Sequence, residues 1–88
     1  MTTSRYGWVG ARRREPDQIA IDGCVDGLIP ARQLITAERV EVVTILAGRG
    51  LTDPAIAQRT GWSSWRAVNR FRRWHHIPAG QPRRRVAA

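Results

Sequence analysis

The chain has 88 residues and a formal net charge of +8, and all 15 of its basic residues are arginines. A chain of this length forms one small domain and cannot enclose a large catalytic cleft. Its lone cysteine excludes an internal disulfide, and the lack of an apolar run of about 18 residues excludes a membrane span. Because the N-terminal stretch also lacks an apolar signal segment, we expect a cytoplasmic protein.

The positive charge is concentrated in the C-terminal part of the chain. Residues 1–53 carry seven arginines and seven acidic residues, whereas residues 54–88 carry eight arginines and no acidic residue. Cationic segments without acidic partners are typical of surfaces that bind polyanions. The distribution therefore points to such a surface after residue 53.

The two ends of the chain differ in composition from its middle. Residues 1–15 include an arginine triplet at 12–14, and residues 78–88 combine prolines and glycine with a second triplet at 83–85. We expect both ends to be flexible basic arms. Between them, residues 16–77 carry helical patterns and no strand pattern, which predicts an all-α bundle of three to four helices.

The first predicted helix runs from about Pro16 to Asp26, with Gly27 as its stop signal. One face of this helix is apolar and comprises Ala20, Ile21, Cys24, Val25 and Leu28. Cys24 lies in the middle of this face, so we interpret it as a core residue rather than a nucleophile.

The second predicted helix has Thr36 as its N-cap and ends at about Ala47, before two glycines. One of its apolar stripes comprises Val40, Val43, Leu46 and Ala47. Val42 and Ile45 lie nearly opposite, and a helix that is apolar on two sides is expected to be sandwiched. The Val42 and Ile45 side should meet either the first helix or a second copy of the chain, which would form a homodimer.

Two further short helices follow in close succession. Thr52 is the predicted N-cap of the third helix, and Ser63 is the predicted N-cap of the fourth. Helices joined by so short a turn cross at a large angle, which needs a small residue at the contact and a residue with positive φ at the corner. Ala57 and Gly61 meet these two requirements.

The segment LTDPAIAQRTGWSSWRAVNRFRRW, residues 51–74, resembles the DNA-binding helix-turn-helix of bacterial and phage regulators, resolvases and transposases. The shared pattern is LT-x-x-x-IA-x-x-x-GW/VS, and it covers about a quarter of the chain. The resemblance implies a helix-turn-helix at residues 52–75. The small, arginine-rich chain suits an actinobacterial or actinobacteriophage regulator, such as a repressor or Cro-like protein. In the common pattern a buried aliphatic residue stands where this chain has Ala67, with Val68 one position later, so the register of the fourth helix stays open.

Both registers expose the same polar side chains of the fourth helix. At about 100° per residue, Arg66, Asn69, Arg70 and Arg73 share one face. The opposite, inward stripe is predicted to contain Ser64, Ala67, Val68, Phe71 and Trp74. Arginine can bind guanine O6 and N7, and asparagine can bind adenine N6 and N7. The residues predicted to contact the major groove are Ser64, Arg66, Asn69, Arg70 and Arg73.

Other polar residues are predicted to contact the DNA backbone, namely Thr52, Gln58, Arg59, Ser63 and Arg72. Trp65 is expected to pack against the third helix. The triplet Arg83, Arg84 and Arg85 is a candidate arm for a narrow minor groove. A solubilising tail explains the same composition.

The sequence predicts no catalytic, metal or cofactor site. His75 and His76 have no Cys, Asp or Glu within a helical turn or two, and adjacent histidines point to different sides of a helix. We therefore expect a non-enzymatic protein that binds double-stranded DNA and regulates transcription. Three alternatives remain open. The first is an accessory factor for recombination or packaging, such as an excisionase or small terminase subunit, and the second is a phage protein that binds a host protein. The third is a detached DNA-binding domain of a recombinase.

Overall fold

Four α-helices and one 3-10 turn form all the regular structure of residues 15–80, the part of the chain that the computed structural model describes. They are α1 (Gln18–Val25), the 3-10 turn (Ala31–Gln33), α2 (Thr36–Gly48), α3 (Asp53–Thr60) and α4 (Trp65–Trp74). The all-α prediction is confirmed. The arms predicted at residues 1–15 and 78–88 lie almost entirely outside the described residues.

All four helices end in the same backbone conformation. A residue with positive φ stands at each end, at 80° for Gly27, 92° for Gly50, 73° for Gly61 and 57° for His76. In each case the following amide donates to the carbonyl five positions earlier. This Schellman pattern satisfies carbonyl groups that a helix end leaves without partners.

The starts of α1 and α4 differ from the sequence prediction. α1 begins after Asp17 rather than at Pro16, because the Asp17 carboxylate accepts a hydrogen bond of 3.0 Å from the amide of Ile19. α4 is capped by Ser64 rather than Ser63, since the Ser64 hydroxyl accepts from the amide of Ala67 at 3.2 Å. α4 therefore starts one residue later than predicted with Ser63 as the N-cap.

Glu38 ties the start of α2 to the start of α1. Its fully buried side chain accepts from the amide of Ile35 at 2.9 Å and from the amide of Asp17 at 2.7 Å. Because Glu38 satisfies the amide of Ile35, the N-cap is Ile35 and not the predicted Thr36. A carboxylate that bonds two backbone amides holds both chain segments in place.

The core lies where α1, α2 and the α3–α4 pair meet. Its completely buried apolar side chains are those of Cys24, Val42, Val43, Leu46, Ile56 and Val68. On the side of α2 that the sequence left open to the first helix or a second copy, Val42 is completely buried within the single chain, whereas Ile45 is half-buried.

Leu28 is the one predicted apolar residue of the first helix that does not join the core. Ile21, Cys24 and Val25 are buried as predicted, whereas Leu28 is 79% exposed. The chain leaves the helical path at Gly27, so the 100° spacing no longer applies to the next residue.

Among the described residues, no helix has the length and apolar character needed to cross a membrane.

Candidate nucleic-acid interface

A short turn, residues 61–64, connects α3 to α4 and sets the position of the second helix. Gly61 adopts φ 73° and ψ 21°, and the amide of Trp62 donates to the carbonyl of Ala57 at 3.0 Å. Ala57 is 8% exposed. The predictions of a left-handed glycine at the corner and a small buried residue on α3 are both confirmed.

The inner side of α4 is held by one aliphatic and two aromatic contacts. Val68 is completely buried, which resolves the register in favour of Val68 over the half-buried Ala67. The ring of Phe71 lies 5.0 Å from that of Trp62 and 4.3 Å from that of His75, measured between centroids. These contacts turn the opposite side of α4 towards solvent.

The outer side of α4 forms one open groove. Arg66, Arg70 and Arg73 are exposed, and none of them makes an ion pair with another described residue. The groove is lined by these arginines together with Trp65, Asn69 and Trp74. The structure thus brings together four of the five residues predicted for the major groove, while Ser64 lies at the N-terminus of the helix as its cap.

Two tryptophans belong to this groove rather than to the core. Trp74, predicted to face inward, is 79% exposed, because it lies about 120° around α4 from the buried Val68, at the edge of the inward stripe. Trp65 is 48% exposed, and the guanidinium carbon of Arg66 lies 5.6 Å from its ring centroid. A cation at this distance from an indole is attracted to the face of the ring.

Asp53 connects the start of α3 to two side chains of α4. Its carboxylate accepts from Nδ2 of Asn69 at 3.0 Å and from Nε and Nη2 of Arg72 at 3.0 and 3.2 Å. An ionised carboxylate can only accept hydrogen bonds, so the amide nitrogen of Asn69 must face it. The amide oxygen and one N–H of Asn69 remain for a partner.

The pKa of Asp53 is lowered by these contacts. Burial by itself would raise it, but the hydrogen bonds from Arg72 and Asn69 and the charge of Arg72 together outweigh burial. Asp53 is therefore held in its charged form, which is the form that accepts from both partners.

Two arginines that were predicted to contact phosphates donate hydrogen bonds to other parts of the fold, Arg72 as a largely buried side chain and Arg59 as an exposed residue. Arg72 also donates from Nη1 to the carbonyl of Ile77 at 3.1 Å, and its side chain is only 12% exposed. Arg59 donates from Nη1 to the carbonyl of Val25 at 3.0 Å, at the C-terminal end of α1. Neither side chain lines the groove, because each is directed to a partner elsewhere in the fold.

The remaining predicted residues lie around the groove or beyond the described part of the chain. Ser63 and Gln58 are exposed, whereas Thr52 is half-buried at the N-cap of α3. The candidate arm Arg83, Arg84 and Arg85 lies outside the described residues. Within residues 15–80, no three His, Cys, Asp or Glu side chains are grouped as metal ligands would be.

Sequence reasoning missed the role of Asp53. The signal that could have identified it is its position as the last acidic residue before an acid-free segment that contains eight arginines. Asp53 is the acidic residue closest to α4 in the sequence, so it is the natural partner for an arginine of that helix.

Comparisons with protein-family models, curated proteins and solved structures found no match to this chain. The groove is therefore interpreted from its own chemistry.

Proposed function

We propose that the chain binds double-stranded DNA through the outer side of α4 and acts as a sequence-specific regulator of transcription. The observation that carries this proposal is the exposure of Arg66, Arg70 and Arg73 on one side of a single helix, without acidic partners among the described residues. Guanidinium groups in such an arrangement suit phosphates and the O6 and N7 atoms of guanine.

The dimensions and the N-terminus of α4 support the same partner. A helix of 10 residues is about 15 Å long, and the major groove of B-form DNA is wide enough to admit it. Ser63 and Ser64 are exposed at its N-terminal end. Backbone amides and hydroxyl groups at this end suit a phosphate, which also fixes the helix along the groove.

Asn69 supports a preference for particular bases. With one N–H directed to Asp53, its side chain retains an acceptor and a donor. Adenine presents the matching donor, N6, and acceptor, N7, in the major groove. Asp53 and Asn69 thus form a pre-oriented pair, and pre-orientation lowers the entropy cost of forming the base contact.

Selection from a random duplex library at about 0.15 M salt tests the proposal, because non-specific phosphate binding is reduced under that condition. We expect a recovered motif that contains guanine and adenine. The Arg70→Ala variant should lose the motif, whereas Arg49→Ala, which removes the same charge from an exposed site at the end of α2, should keep it.

The outcomes separate the proposal from its alternatives. Matches to the recovered motif near the chain's own promoter support a regulator, and matches at an attachment or packaging locus support an accessory factor. Tight binding at low salt without a motif would restrict the protein to an architectural role. Absence of DNA binding at any salt concentration contradicts the proposal. It would indicate that the groove binds a protein partner instead.

A further inference from the structure

The large apolar side chains that remain exposed in the described residues occupy two separate surfaces of opposite charge. Ile19 and Leu28, which are 78% and 79% exposed, lie on and just after α1. Trp65 and Trp74 lie at the two ends of the α4 groove. Solvent-exposed apolar side chains that are grouped with charges, rather than scattered, indicate an interaction surface.

The first surface, the acidic face, consists of Ile19, Asp22, Asp26 and Leu28. Positions 19, 22 and 26 share one side of a helix, opposite to the buried Ile21 and Cys24. Both aspartates are exposed, and the hydrogen bond from Gln18 to Asp22 spans 2.9 Å on the surface. The last turn of α1 contains no basic residue of its own, and the Arg59 guanidinium from α3 donates to the Val25 carbonyl at this end.

The second surface, the cationic face, consists of Trp65, Arg66, Arg70, Arg73 and Trp74. Trp65 and Trp74, nine positions apart, lie half a turn apart on α4 and so flank the arginines on either side, whereas Leu28 lies beyond the end of α1. The charges are negative on one surface and positive on the other. The two surfaces are therefore complementary in both charge and apolar character.

We propose that the acidic face of one copy of this chain docks onto the cationic face of a second copy. Ion pairs between aspartates and arginines would set the register, and the exposed indoles would cover Ile19 and Leu28. Pairing of two identical faces would instead oppose like charges. The contact is heterologous, so each added copy leaves one acidic and one cationic face open, and association continues beyond a dimer.

This assembly uses the same side of α4 as the proposed DNA site. If that proposed function holds, self-association and DNA binding exclude each other. Duplex DNA should then dissociate the assembly. Because such linkage is reciprocal, self-association should in turn lower the apparent affinity of the chain for DNA.

Sedimentation equilibrium of the full chain tests the docking. The weight-average mass should rise with concentration up to about 1 mM at about 0.15 M salt, where the long-range repulsion between chains of net charge +8 is largely screened. It should fall back towards the monomer at about 0.5 M salt, where charge pairs are screened. The matched charge variant Arg32→Glu/Arg49→Glu, altered at two exposed residues outside both faces, should associate like the wild type.

Two variants with one altered face each make the test specific. Ile19→Gln/Leu28→Gln changes only the acidic face, and Arg66→Glu/Arg70→Glu changes only the cationic face. Each should be monomeric alone, with an unchanged helical circular-dichroism spectrum. Their mixture should form a 1:1 dimer and nothing larger, because each variant contributes one intact face.

A wild-type chain that stays monomeric up to about 1 mM overturns the proposal. So does a wild-type chain that associates while the mixed variants do not. DNA binding provides a separate readout, since Ile19→Gln/Leu28→Gln leaves α4 and the net charge unchanged and should bind duplex DNA within about twofold of the monomeric wild type. If that variant binds no DNA while the assembly forms as expected, the proposed function fails and the docking stands.

Discussion

The Nε atom of Arg72 on α4 lies 3.0 Å from Oδ1 of Asp53, the first residue of α3. The same carboxylate accepts from Asn69, so one acidic side chain joins the two helices at two positions one turn apart on α4. Both members of the ion pair have side chains that are 12% exposed. This contact sets how α4 is rotated on α3, and hence where its three exposed arginines point.

Replacement of Asp53 by alanine should destabilise the fold. The change leaves the largely buried guanidinium of Arg72 without its carboxylate, and we expect the free energy of unfolding to fall by ~1–3 kcal/mol. Urea denaturation of the two chains measures the difference. Asp22→Ala is the control, because Asp22 is exposed and its loss should change stability by no more than ~0.5 kcal/mol. Equal effects of the two changes would contradict a structural role for the Asp53 contact.

Stability should decrease in acid because of Asp53. Burial alone would raise its pKa, but the partners Arg72 and Asn69 outweigh it and bring the pKa below the ordinary 3.8. The unfolded chain therefore takes up this proton at a higher pH than the folded chain does. The contribution is present above about pH 4 and is lost as pH falls through the folded pKa. Thermal melts between about pH 2 and 6 should show a shallower decline for Asp53→Asn, and parallel curves would contradict this assignment.

Gly61→Ala should destabilise the turn between α3 and α4. The φ of 73° costs an L-residue about 1 kcal/mol or more, although a Cβ there would meet its nearest atom, in Pro30, at an ordinary 3.6 Å. Gly48→Ala provides the matched comparison, since Gly48 ends α2 with no atom within 4 Å of an added Cβ. That change should leave stability unchanged or raise it by up to ~1 kcal/mol. Chemical denaturation of both variants checks the prediction.

Arg70→Ala should weaken binding to a selected DNA site and broaden the base accepted at one position. Loss of a bidentate guanine contact corresponds to ~1–3 kcal/mol. Fluorescence anisotropy with the selected duplex and with single-base variants measures both effects. Arg49→Ala removes the same charge elsewhere and should reduce affinity much less. An unchanged affinity of Arg70→Ala would show that the outer side of α4 does not read the bases.

Removal of residues 83–85 should weaken binding to all DNA sequences to the same degree. If the three arginines bind phosphates, the slope of log affinity against log salt should become shallower by roughly 0.9 for each phosphate that is no longer neutralised. Titrations at several salt concentrations measure this slope. A slope that does not change would identify the triplet as a solubilising tail.

Much of the fold could be predicted from local patterns. The apolar spacing indicated the buried side of α1, and Gly27 and Gly61 marked helix ends because positive φ has a low energy cost only for glycine. His76 shows the limit of that rule, since it adopts a φ of 57° at the end of α4 without a glycine signal. The buried Ile77 that follows it supplies the apolar contact that commonly accompanies this type of helix end.

The sequence by itself determined the helical class and the side of α4 that carries Arg66, Arg70 and Arg73, because both follow from spacing along a helix. It also determined the turn at Gly61, because positive φ has a low energy cost only for glycine. Only the tertiary structure decided which polar residues are free. Arg59 and Arg72 have the same chemistry as the arginines of the groove, but they donate to a carbonyl of α1 and a carboxylate of α3. Those partners are distant in sequence, and their proximity depends on how the helices pack rather than on any periodic pattern.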